Sequence, residues 1–321
     1  MLSPNIPHLA GRDAALHTLG FSLAEAAWLT LVCLHAGVFT RSQFCRFHNC
    51  RENAAHRFVR RLVDGRFARE HPLPDSRHRF TRVYGRALYD ALDIEVPRHR
   101  RSATSVILFR RLLSLDYVLD NPNSPWLATE REKVTYFTGR GIEANLLPQR
   151  LYGGAIHTRR YFALKLPIAG GDHSVTFVYA DPGRETQREL QRWANAHRTL
   201  WSRLRATGTA VHLAVVTRTV TAQRDYSRSL GTWLTRPEGD APLAVGESAT
   251  PTFIEAALLD GDSHGVAKMR TSGAANRIGK RVDQADAPKA IIDSFSTHHS
   301  RHLAPKGRGG PPSLVRVSGP R

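Results

Sequence analysis

The sequence predicts a chain of mixed class, α+β passing into α/β, followed by a basic tail. Three observations carry this. Residues 21–95 are Arg-rich and patterned mostly as helices, residues 96–235 mix helical stripes with apolar runs, and the text beyond about 236 thins to Gly, Ser, Pro and Ala. With 321 residues the chain is long enough for about two domains, and 41% hydrophobic content suffices for a packed core. No repeat of 20–50 residues is visible.

Residues 1–20 read as a flexible leader. Ser22, with Glu25 three positions on, forms a capping-box pattern. Leu23, Ala26, Ala27, Leu31 and Leu34 then recur at helical spacing as an inward stripe, and Gly37 supplies a stop. Thr40 caps a second, shorter helix over Arg41–Phe47, and a turn follows at His48–Arg51. The third helix runs from about Glu52 to Val63. Its apolar side is Ala54/Ala55, Phe58 and Leu62, and its other side carries Asn53, His56, Arg57, Arg60 and Arg61.

Phe67–His71 and Arg79–Tyr84 flank a polar loop and read as a two-stranded hairpin. Gly85–Leu92 reads as another helix. Helix, short helix, turn, helix, hairpin is the order of a winged helix-turn-helix. A third helix with one apolar and one cationic side can pack on its neighbours and enter a major groove. Arg reads guanine edges and Asn reads adenine. The wing arginines Arg69, Arg77, Arg79 and Arg82 suit phosphates or the minor groove.

Charge points the same way. The chain carries 46 Lys+Arg against 28 Asp+Glu, a net charge of +18, and 40 of its cations are Arg. Twelve of those arginines fall within residues 41–86, beside four acids. A polyanionic partner, double-stranded DNA, is the expectation. A winged domain that binds another protein is the competing one.

Cys45, His48 and Cys50, with Cys33 as a fourth ligand, offer the residue types of a zinc site. Buried cysteines in a helical core are the preferred reading, so neither metal nor cofactor is expected. Three cysteines make no disulfide framework and suit a reducing, cytoplasmic setting. No membrane partner or targeting segment is expected, because no apolar run reaches spanning length.

In the second section, Ser105–Leu119 and Thr129–Thr138 read as helices. Asn145–Tyr152, Tyr161–Pro167 and Ser174–Ala180 read as strands. Thr186 with Glu189 caps a long helix striped by Leu190, Trp193, His197, Leu200/Trp201 and Leu204. Val211–Val216 is a strand buried on both faces, and Thr221–Leu234 a final helix. Residues 241–321 read as a mostly disordered basic tail. Its Thr297–His302 stretch reads as a solvated polar run rather than a metal site.

The strand and helix order resembles the core of restriction-endonuclease-like folds, whose active members hold a divalent cation on paired carboxylates. Here Gln149 stands after Pro148 where that pattern has an Asp, and Tyr179 stands where its first later acid would be. Asp181 alone remains, so the expectation is an inactive core. A working nuclease would need Asp181 with Lys165 or Glu185. No phosphate-binding loop or hydrolase elbow occurs.

The hairpin-bearing module, the intervening helices and the phrase Leu146–Gly183 are together similar to the replication-relaxation family of bacterial plasmids and integrative elements, over residues 21–235. The resemblance implies a winged helix-turn-helix joined to a nuclease-like core. It implies a role in plasmid replication control, mobilisation or transcriptional regulation, with other plasmid or transfer proteins as further partners.

Overall fold

The computed structural model describes residues 6–74, 76–94, 103–152, 158–183, 187–235, 292–300 and 303. A 3-10 turn at Pro7–Leu9 and helix α1, Ala14–His17, begin the described chain. Ile6, Leu9 and Leu16 are buried, and Arg12 reaches Glu132 at 2.6 Å. From residue 6 onward the expected flexible leader is therefore seated on the core. Three apolar anchors hold it there.

Helix α2 spans Leu23–His35. The Ser22 backbone N–H and hydroxyl both donate to the Glu25 carboxylate, at 3.0 and 2.8 Å. All ten residues from Ala26 to His35 are buried, so the helix is enclosed on every side rather than striped. Leu23, expected inward, is 68% exposed because it sits at the open first turn. Gly37 ends the helix with a φ of 67°.

Strand β1, Val38–Thr40, comes next and was not foreseen, since three residues show no alternation. Helices α3, Arg41–His48, and α4, Glu52–Asp64, follow it. The Thr40 N–H donates to the Gln43 side-chain oxygen at 2.8 Å, a capping box. Strands β2, Ala68–Pro72, and β3, Arg79–Val83, form the hairpin. The resulting antiparallel sheet has the order β1-β3-β2. Trp28 is fully buried at its centre, with Phe39, Phe44 and Phe47 rings at 5.3, 5.7 and 5.1 Å. Helix α5, Arg86–Ala91, closes the module with Leu88 and Tyr89 inside.

Helix α6, Ser105–Asp120, is the beam of the molecule. It packs on α2 and β1 at one side. Its other side lies on a four-stranded sheet built from β6, Ile168–Gly170, β7, Ser174–Asp181, β8, Ala210–Thr217, and β9, Ser294–His299. The sheet order is β6-β7-β8-β9, with β6 antiparallel to β7 and the remaining pairs parallel. Helices α8, Gln187–Ala206, and α9, Val220–Thr235, cover the opposite face. Trp193 and Trp201 of α8 meet Tyr179 and Phe177. Gln223 and Ser227 of α9 bond Thr297. Tyr117 of α6 meets His298 on the facing side.

Two expectations change here. The strand expected at Tyr161–Pro167 is a corner. Helix α7, Glu130–Thr138, precedes a separate hairpin of β4, Gln149–Tyr152, and β5, Thr158–Tyr161. The chain then turns through Phe162 and Lys165, both left-handed at φ 49° and 53°. The Lys165 N–H closes the turn on the Phe162 carbonyl at 2.8 Å. Burying Phe162 and Leu166 on either side of the turn produces the same alternation as a strand. The second change is β9, which lies inside the expected disordered tail. Parallel pairing with β8 satisfies its backbone, so low apolar content did not prevent order. The remainder of 241–321, except Ile292, Asp293, Ser300 and Leu303, lies outside the described residues, as does Thr186.

Candidate nucleic-acid interface

Helix α4 forms because Ala55, Phe58, Val59 and Leu62 fall on one side and are all buried. Asn53, His56, Arg57, Arg60 and Arg61 are all exposed. At about 100° of rotation per residue, those five do not act alike. Arg61 faces α2, where it is ion-paired with Glu25 and lies over the Phe21 and Phe58 rings at 5.6 and 6.0 Å. Burial pushes the Glu25 carboxyl up, but hydrogen bonds from Arg61 and Ser22 outweigh it and hold the group below its usual value. Arg61 thus packs along the α2 seam while its side chain stays 53% exposed. Asn53, Arg57 and Arg60 occupy the middle of the open side. Among the described residues Asn53 and Arg57 have no side-chain partner, and Arg60 has only Asp64 at 3.7 Å.

The hairpin continues this surface. Arg69 and Arg82 stand directly opposite each other across β2 and β3, a like-charge placement. Both lie over the Tyr84 ring, at 5.5 and 5.9 Å. Arg77 is exposed at the tip. His71 stacks on Phe80 at 5.4 Å. Burial first, then the neighbouring Arg82, Arg69 and Arg79, lower its pKa and leave it neutral.

A groove of about 400 Å³ runs between α4 and the hairpin. Arg41, His56, Arg60, Arg69, Arg79 and Glu70 line it over a floor of Val59 and Val63. Glu70 bridges two arginines: Arg41 at 2.7 Å and Arg79 at 3.1 Å. Sequence reasoning missed both Arg41 and Glu70. Strand β1 carries Arg41 up to the hairpin, and β1 left no periodic signal. Glu70 is the one acid between Arg66 and Arg82 besides Asp75, which was the available clue.

No family model, curated protein or solved structure matches this chain. The surface is therefore read from its own chemistry.

The nuclease residues form a different picture. Asp181 ends β7 and is 2% exposed. It accepts the Gly183 N–H at 2.8 Å. Burial raises its pKa, against the Gly183 and Tyr226 hydrogen bonds and the charges of Arg110 and Arg218. Tyr179 lies beside it with a pKa pushed up by burial, and the buried Arg110 donates to the Ala180 carbonyl at 3.4 Å. This carboxylate is engaged by the chain itself. Lys165 sits on the corner described above, not on a neighbouring strand, and Glu185 lies outside the described residues. Gln149 is exposed on β4 and donates to the Asn145 carbonyl.

Cys45 and Cys50 lie beside each other, but the four candidate zinc ligands form no group of three. Cys33 lies within α2, its thiol pushed up to about 12 by burial. Burial lowers His48 to about 4 among Phe44, Phe47 and Trp28. Cys45 is raised to about 11 by burial and by Cys50. Among the described residues no group of three or more His, Cys, Asp or Glu could hold a metal ion, and no helix is long and apolar enough to cross a membrane. His173 is exposed in a turn, and His157 lies outside the described residues.

Proposed function

We propose that this chain binds double-stranded DNA through a winged helix-turn-helix. In this reading α4 is the recognition helix and the β2–β3 hairpin is the wing. The observation that carries it is the gathering of cationic and polar side chains on two adjoining elements: Asn53, Arg57 and Arg60 in the middle of the open side of α4, and Arg69, Arg77, Arg79 and Arg82 on the hairpin. Asn53 and Arg57 suit base edges. The hairpin arginines suit the backbone, which supplies affinity by releasing counterions. The β6–β9 sheet then serves as a nuclease-like core without catalysis, and the burial of Asp181 favours that over a metal-dependent cut. A role in the replication, mobilisation or regulation of a mobile element follows from the resemblance to the replication-relaxation family.

The test is fluorescence anisotropy with random and selected duplexes at two salt concentrations. Arg57→Ala with Arg60→Ala is expected to weaken binding by about tenfold or more, at roughly 1–3 kcal/mol per base-reading contact. It should also flatten sequence preference. Removing residues 304–321 leaves β9 intact and should lower affinity without altering preference. Unchanged binding by the double variant would remove α4 from the recognition role.

A further inference from the structure

The groove between α4 and the hairpin holds a carboxylate where its geometry suits a phosphate. Glu70 is fixed by the backbone: it pairs across from Thr81, on the strand side that carries the buried Ala68 and Val83. Its two oxygens are divided between two elements. Oε1 accepts from the Arg41 Nε at 2.9 Å and also meets the Arg41 Nη2 at 2.7 Å. Oε2 meets the Arg79 Nε at 3.1 Å. Arg41 opens α3 and Arg79 opens β3. Two guanidinium groups from adjoining ends of β1 and β3 thus converge on one anion. Arg60 adds a further cation to the same lining, so a single carboxylate leaves the groove positive.

A guanidinium donates to carboxylate and to phosphate oxygens alike. Resting on the DNA-binding reading above, we propose that this groove is a phosphodiester site and that Glu70 fills it in the free protein as an internal counter-ion. DNA binding then exchanges one anion for another at Arg41 and Arg79. The carboxylate relieves the repulsion between the two arginines when no DNA is present. It also competes with non-specific backbone contact, so that Glu70 sets how much affinity the protein has for DNA of any sequence. Arg57, outside this groove, is untouched by the exchange.

Glu70→Gln keeps the shape and removes the charge. Its affinity for a random-sequence duplex is expected to rise about tenfold at moderate salt. The slope of log affinity against log salt should steepen by about 2, one unit for each arginine freed. Arg41→Ala in the Glu70→Gln background should erase about half of the steepening. Glu70→Asp, shorter but still charged, should show no gain, and thermal melting confirms that each variant is folded. Wild-type binding with Glu70→Gln unchanged or weaker would overturn the proposal, marking Glu70 as a scaffold, and would leave the DNA reading standing. If the wild type binds no DNA, that reading fails, and elution from immobilised heparin decides the groove separately. Later elution of Glu70→Gln retains an anion site guarded by Glu70, and equal elution removes it.

Discussion

Gln43 ties more of the molecule together than its place in the sequence suggests. It is fully buried, with its side-chain oxygen accepting the Thr40 N–H. Its nitrogen donates to the Leu112 carbonyl at 3.0 Å and to Asp116 at 2.7 Å. The second oxygen of Asp116 accepts the Ser300 hydroxyl. One amide therefore caps α3 and also bonds a buried carboxylate on α6. Gln43→Leu is expected to cost about 3 kcal/mol, because it removes a bond to that carboxylate as well as the cap. Urea unfolding measures this, and a loss below about 1 kcal/mol would mean the pair is solvated. Gly85 is tight for a different reason. A Cβ there would lie 2.9 Å from the Phe67 Cα, which is backbone and cannot swing aside. Gly85→Ala should cost roughly 1–3 kcal/mol in the same assay. The capping role of Thr40 was readable in the sequence. The reach of Gln43 to Asp116 was not, since nothing in a one-dimensional pattern brings residues 43 and 116 together.

Among elements, the long amphipathic helices were the most legible. The stripe Leu190, Trp193, His197, Leu200, Trp201 and Leu204 of α8 is buried throughout. Its histidine has a consequence for acid stability. His197 donates its Nδ1–H to the Trp193 carbonyl at 2.8 Å, and burial lowers its pKa to about 4. In the unfolded chain the ring titrates near 6.5. The unfolded state thus takes up a proton that the folded state refuses between about pH 6.5 and 4, and stability falls across that window as pH drops. For this one buried ring the loss amounts to roughly 3 kcal/mol by pH 4. His48, also lowered to about 4 by burial, adds to the same trend. Melting temperatures at pH 7 and pH 4.5 measure it, and His197→Phe should reduce the difference. A melting temperature independent of pH would contradict the burial of this ring. The short strands were least legible. β1 is held by its partner β3 rather than by any pattern of its own. The apparent strand at Tyr161–Pro167 came from a corner that buries alternate residues. The positive side of α4 was readable as a set, but its division was not: Arg61 belongs to the α2 seam, and Glu70 to the groove, only once the helices are packed.

For the whole molecule, α6 matters most. Ten of its sixteen residues are buried, between the β1-β3-β2 sheet on one side and the four-stranded sheet on the other. The apolar interior is one cluster from Ile6 to Leu303. The boundary expected near residue 95 separates sequence compositions but not cores. Hydrogen exchange is expected to give the same opening free energy for peptides from α2 and from β8, as one cooperative unit requires. Two distinct values would show that each sheet opens by itself. The mixed α and β class was legible because helical and strand periodicities alternate. The shared core was not, because α6 reads in sequence as one more ordinary helix.

The contact between Asp116 and Ser300 also sets an order in time. Their side chains meet across 184 positions of chain, and β9 joins β8 across 82, where His212 pairs with Ser294. At roughly 5–20 residues per second of synthesis, Asp116 is made about 10–40 s before the Ser300 hydroxyl that bonds it. β8 is made later and waits 82 positions, about 4–16 s at the same rate, as a sheet edge without β9. A nascent or prematurely terminated chain therefore displays an open strand that the finished chain hides, which is the kind of surface chaperones and proteases recognise.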